Sequence, residues 1–164
     1  MLKKRILRTL IVTGVITILI AATDSHSSFA YQKSKLLEGS WIVTITGGQG
    51  TPDLPSWYKA HVTFSRGGGL VATITDPLLS TGHGAWSKTG KREFAITILL
   101  FQFDLAGNFL GTLEARATLT VDDNSDTFDS DDYQFEFFDP DRNPTGFVGV
   151  GAAHGTRINV EPLP

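Results

Sequence analysis

The sequence predicts an all-β protein, an antiparallel up-and-down barrel of about eight strands. Three observations carry this. First, residues 92–139 hold three long strand-like runs, 92–104, 108–122 and 126–139, joined by two short turns. Each is rich in β-branched and aromatic residues and far longer than the usual strand of about five or six residues. Consecutive long strands of this kind close or curl, because a flat sheet leaves an apolar face and two edges exposed. Second, apolar and polar residues alternate along them, the mark of one buried and one wet face. Third, Gly, Pro, Asn and Asp punctuate the chain at hairpin spacing, and nothing after residue 30 has helical periodicity.

The chain begins with the features of a signal peptide, residues 1–30. Lys3, Lys4, Arg5 and Arg8 form a basic segment, 10–22 is an apolar run of thirteen, and Ser28 and Ala30 are small residues at the −3 and −1 positions of a cleavage site. That run is shorter than the roughly 20 residues of a transmembrane helix. An uncleaved N-terminal membrane anchor is the alternative. Cleavage removes four basic residues and one acidic residue, taking the formal net charge from −3 to about −6. Such a charge argues against binding nucleic acid or anionic lipid. The expected mature protein is secreted or periplasmic, with no stable membrane span. There is no Cys, which rules out disulfides and a lipoprotein-type anchor, so stability rests on the core.

Residues 31–38 are polar and read as a flexible leader; 39–164 is the barrel domain. The first strand, 39–46, is followed by a Gly- and Pro-rich loop. The second, 57–66, places Ala60, Val62 and Phe64 on one face. Gly67, Gly68 and Gly69 turn it into the third strand, 70–75. A Pro- and Gly-broken segment, 76–84, leads to a short fourth strand, 85–88. The fifth, sixth and seventh are the long runs, and the eighth, 145–160, carries Gly146, Gly149, Gly151 and Gly155. Glycines in a strand often mark the bends and bulges where a barrel turns its corners.

Alternation orients the strands. On the sixth, Leu113, Ala115, Ala117, Leu119 and Val121 share one face. On the seventh, Tyr133, Phe135 and Phe137 oppose Asp132, Gln134 and Glu136. The fifth differs, with Phe94, Ile96, Ile98 and Leu100 on one side and Ala95, Leu99, Phe101 and Phe103 on the other. A strand apolar on both faces is covered from outside or forms an interface, so an oligomer is a candidate state.

Gly39-x-Trp41 on the first strand, with Arg157 on the last, resembles the calycin group of lipocalins, fatty-acid-binding proteins and avidins. The resemblance implies that Trp41 closes one end of the barrel and that Arg157 packs across its ring, a favourable cation–π arrangement. It also implies a small apolar molecule held inside. Asp131-Asp132-Tyr133 is loosely similar to the lipocalin Thr-Asp-Tyr motif. The usual lipocalin C-terminal helix and disulfide are missing, and neither avidin's polar ligand set nor the fatty-acid-binding Arg and Tyr pair is identifiable. Allene oxide cyclase and dirigent proteins have similar barrels, which steer reactive apolar molecules; no motif here selects them.

Candidate ligand contacts are Trp86, Phe94, Tyr133, Phe135 and Phe137, which would equally fill a solid barrel. His83, in a Gly-flanked loop, and His154, beside Arg157, are the candidate acid–base residues. His61 lies on the second strand. No two of these three have metal-ligand spacing, so no metal is expected, and no cofactor motif is present. Asp139-Pro-Asp141-Arg-Asn143 resembles the start of a calcium loop, but Pro144 replaces the required Gly and Val150 the closing acid. A hairpin turn fits it better. The residues therefore favour a non-enzymatic binder of a small apolar molecule. The alternatives are a barrel isomerase or cyclase using His83 or His154, and a secreted interaction protein with a packed interior.

Overall fold

Eight antiparallel strands close into a barrel in simple sequence order, in a computed structural model that describes residues 35–47 and 57–163. The segment read as a signal peptide, and the expected leader as far as residue 34, lie outside the described residues. The strands are β1 Gly39–Gly47, β2 Trp57–Phe64, β3 Gly69–Ile74, β4 Gly82–Lys88, β5 Glu93–Phe103, β6 Phe109–Val121, β7 Thr127–Phe138 and β8 Pro144–Arg157. Closure is made by β1 and β8, which pair from Trp41 with Arg157 to Gly47 with Gly151. No sheet edge is left between them, which removes the unpaired backbone that an open sheet of this length would expose.

Two elements start earlier than the sequence suggests. The barrel unit begins at Leu36, not Gly39. Leu37, expected in the flexible leader, is fully buried and accepts a hydrogen bond on its carbonyl from Trp41 Nε1 at 2.9 Å. β4 begins at Gly82, so His83 belongs to a strand and not to a loop. It pairs with Val71 and Leu99 and faces outward.

The end at which β1 starts and β8 finishes is plugged by aromatic rings. Trp41, Phe128, Phe64, Trp86 and Phe94 form a chain of ring contacts with centroids 5.0 to 6.3 Å apart, most of them edge-on. Edge-to-face and tilted pairs of this spacing add to the gain from burial. Both indoles satisfy their N–H; Trp86 Nε1 donates to the carbonyls of Ser65 and Gly69. Trp86 and Phe94, read from the sequence as ligand contacts, therefore belong to the plug.

Arg157 covers the plug from outside. Its guanidinium stands 4.2 Å from the Trp41 ring and donates to the carbonyls of Ser125, Glu38 and Leu36 at 2.6 to 2.7 Å. One cation thus ties β8 to the β6–β7 turn and to the segment before β1.

Two of the β8 glycines serve packing, where the sequence suggested bends. A Cβ on Gly155 would lie 2.2 Å from the Phe128 ring, and one on Gly149 would lie 2.1 Å from the Phe135 ring. Each glycine is the cross-strand partner of the aromatic that covers it. The missing side chains are the space the rings occupy.

β7 carries one extra residue relative to both neighbours, between Ser130 and Tyr133. The bulge switches parity: Phe128 and Ser130 face inward below it, Tyr133, Phe135 and Phe137 above it. It also leaves the Thr118 N–H without its ladder partner. Asp132 Oδ1 accepts that N–H at 2.8 Å and the Ser130 hydroxyl at 3.1 Å. The Thr118 amide, as the largest cause, holds the Asp132 carboxyl below the usual carboxylate range. A carboxyl depressed on folding stabilises above its unfolded value, near pH 4, and that stability is lost as pH falls through the folded value. Asp132→Ala is expected to cost about 1 kcal/mol at neutral pH by leaving the amide unpaired. Urea unfolding at pH 7 and pH 3 checks this: the gap between variant and wild type narrows in acid, and a constant gap contradicts it.

Three hairpin turns are built alike. Asp104, Asp122 and Asp139 each accept several backbone N–H groups from the turn they open. The side-chain amides of Asn108 and Asn143 first, and the backbone N–H groups after them, hold the Asp104 and Asp139 carboxyls low, and the Thr127 N–H does most to lower Asp122. In the 139–143 turn both carboxylate oxygens of Asp139 are taken up by Asp141 and Asn143. The stretch that resembled a calcium loop is a hairpin turn.

Candidate functional site

Above the plug the barrel is not filled. A cavity of about 100 Å³ opens at the end where β1 finishes and β8 begins, and a second of about 50 Å³ lies below it. Ile45, Ile74 and Tyr133 line both and so form the partition between them. The lower space is apolar and exists because Ala60, Ala72, Ala117 and Ala153 occupy inward positions where larger residues would fill it. Apolar cavities of this kind stay dry and can accept an apolar guest.

The upper cavity has walls from Leu113 on β6 and from Phe135 and Phe137 on β7. Leu78 and Leu79 complete it from the β3–β4 connection. That connection continues the edge of β4 along β5: Ser80 N–H donates to the Phe101 carbonyl and Phe103 N–H to the Leu78 carbonyl. The segment breaks the strand pattern in sequence because Pro77 and the Asp76 turn, whose carboxylate accepts the Leu78 N–H at 2.8 Å, interrupt it.

Three polar side chains join the wall of the upper cavity, Tyr58, Asp76 and Gln102, with the hydroxyl of Tyr133 as a fourth polar group. Tyr58, Asp76 and Gln102 share one origin. Each continues the inward parity of its strand one step past the apolar residues: Tyr58 before Ala60, Asp76 after Ile74, Gln102 after Leu100. The alternation of Ala60, Val62 and Phe64, and of Phe94, Ile96, Ile98 and Leu100, extends to Tyr58 and Gln102, whereas Asp76 stands in the segment whose Pro and Gly break the pattern.

Tyr133 is only 9% exposed, and among the described residues its hydroxyl makes no hydrogen bond. Burial, with Tyr58 nearby as the smaller cause, pushes its pKa up to about 12. Burial first, and the Asp76 charge second, also raise Tyr58. Both phenols therefore stay protonated through neutral pH and remain donors. Among the described residues that line the cavity there is no Lys, Arg or His.

Of the ligand contacts read from sequence, Tyr133, Phe135 and Phe137 converge on this cavity, and Trp86 and Phe94 do not. The candidate acid–base residues are on the outer wall. His83 is exposed on β4, and His154 is exposed on β8 with its Nδ1 2.6 Å from Asp129 Oδ1. His61 also faces outward on β2. None of the three lines either cavity.

No family model matches the chain, and no curated protein does. Among solved structures, one described as EF1p2_mFAP2b bound to DFHBI has a similar fold, with a TM-score of 0.55 and 18% identity over 79% of this chain and 99% of that one. At that identity the likeness concerns the fold.

Proposed function

We propose that this barrel is an exported, non-enzymatic carrier of a small apolar molecule, held in the open-end cavity. The observation that carries the reading is an apolar space, open at one end, above a solid aromatic plug. Barrels of about eight strands are either packed through or hold one small ligand, and here the alanines leave the room. The fold shared with a protein solved with DFHBI bound supports the same reading. So does the position of His83 and His154 on the outer wall, away from anything held inside. Kinship with calycins is part of the proposal, supported by the stacking of Arg157 on Trp41. Export rests on the signal features of residues 1–30.

Native mass spectrometry of protein purified from its own host without detergent tests it. The expected spectrum shows a small co-purifying mass that disappears on denaturation. Ile74→Trp fills the partition between the two cavities. It is expected to abolish that adduct while the barrel still folds, at an overpacking cost of about 1–3 kcal/mol. A bare wild-type mass, with no uptake of apolar dyes, sinks the carrier.

A second reading has its own observation. Leu99 and Phe101 on the outer face of β5 are exposed, and Phe101 stacks edge-on with the exposed Phe109 at 5.6 Å. We propose this face as a self-association surface; a monomeric mass in the same spectrum counts against it.

A further inference from the structure

We propose that the open-end cavity selects an uncharged, ring-sized molecule bearing one hydrogen-bond-accepting oxygen, which sits on the Tyr133 hydroxyl, and that it rejects carboxylates. This rests on the carrier reading and specifies its ligand. The size follows from the upper cavity alone: at about 100 Å³ and open at its mouth it is of the order of the roughly 150 Å³ apolar space that accepts a benzene ring, whereas the lower space, about 50 Å³, is too small for one.

The polarity follows from Tyr133. The Tyr133 hydroxyl makes no hydrogen bond among the described residues and is open to the cavity, so a guest that supplies an acceptor gains a bond there without breaking an existing one. Tyr133 lines both spaces, and its phenol lies near that of Tyr58, which lines only the upper one. A guest oxygen placed there leaves the rest of the molecule against Ile45, Ile74, Leu113 and Phe135. Tyr133 stays protonated, so it offers an O–H and not a negative oxygen.

The charge selection follows from what lines the space. A buried carboxylate needs a cation or several donors. No basic side chain lines the cavity among the described residues, and Asp76, the one charged group on its wall, has the same sign. Residues 48–56, which connect β1 to β2, contain no Lys, Arg or His in sequence. Among the described lining residues a cation would find its one counter-charge in Asp76, whose Oδ1 is already engaged by the Leu78 N–H. A carboxylate ligand, which the calycin resemblance allowed through the fatty-acid-binding proteins, is therefore disfavoured by the wall itself.

Four probes of matched skeleton test this by calorimetric titration at pH 7.5: acetophenone, ethylbenzene, benzoate and 1-phenylethylammonium. Acetophenone is expected to bind about tenfold tighter than ethylbenzene, the worth of one hydrogen bond. Benzoate is expected to be at least about a hundredfold weaker than acetophenone. Tyr133→Phe is expected to erase the advantage of the ketone while leaving ethylbenzene unchanged. Asp76→Asn, which keeps an acceptor for the Leu78 N–H, is expected to narrow the gap to benzoate. If benzoate or the ammonium binds as tightly as the ketone, or if the ketone keeps its advantage in Tyr133→Phe, the selectivity is overturned and the carrier stands. If none of the four binds, the inference is overturned, and failure to find any native adduct then removes the carrier as well.

Discussion

Trp41→Ala is expected to cost about 4 kcal/mol and Arg157→Ala about 3 kcal/mol in urea unfolding. Trp41 is fully buried, and its removal leaves a hole in the plug that Phe128, Phe64 and Leu37 are too constrained to fill. The indole N–H bond to Leu37 is lost with it, and with that bond the anchor of the segment before β1. Arg157 acts through three charge-assisted bonds to carbonyls from two separate stretches, Ser125 on one side and Leu36 and Glu38 on the other. Lysine keeps the charge but lacks the planar fork, so Arg157→Lys is expected to recover less than half of the loss. Because the two residues stack, the double variant is expected to lose about 1 kcal/mol less than the two single losses combined. Strict additivity contradicts a direct energetic contact between them.

Gly155→Val is expected to destabilise by about 3 kcal/mol, against almost no effect for Gly69→Ala. At Gly155 the new side chain enters the space of the Phe128 ring, 2.2 Å from the Cβ position, whereas nothing lies within 4 Å of a Cβ on Gly69. The displaced ring is only 2% exposed and touches both Trp41 and Phe64, so it has nowhere to go without opening the plug. Thermal unfolding of Gly155→Val in a Phe128→Leu background gives the decisive comparison. If the clash with the ring is the cause, the smaller residue absorbs part of it and the two substitutions are strongly non-additive. Equal losses with Phe or Leu at 128 would mean that Gly155 is needed for its backbone instead.

Much of the barrel was present in local pattern. Strand identity came from β-branched and aromatic content, facing from the alternation of residues such as Leu113, Ala115 and Ala117, and turn identity from Asp104, Asp122 and Asp139, whose carboxylates cap their own turns. These are properties of neighbours in the chain, and period-2 alternation needs no distant partner to be expressed. Even the polar side chains of the cavity, Tyr58, Asp76 and Gln102, obey that parity. What the alternation does not contain is height along the barrel axis. Trp86, Phe94, Tyr133 and Phe135 all point inward and look equivalent in sequence, yet the first two close one end and the last two line the other. Height depends on register and stagger, which are set by the pairing of β8 with β1, by the extra residue on β7 that moves Tyr133 into line with Phe135, and by where Gly149 and Gly155 leave room for rings. The sequence by itself determined strands, faces and turns because those are decided within a few residues. Only the tertiary structure decided which end is plug and which is cavity, because closing a barrel couples every register to the next and settles them together.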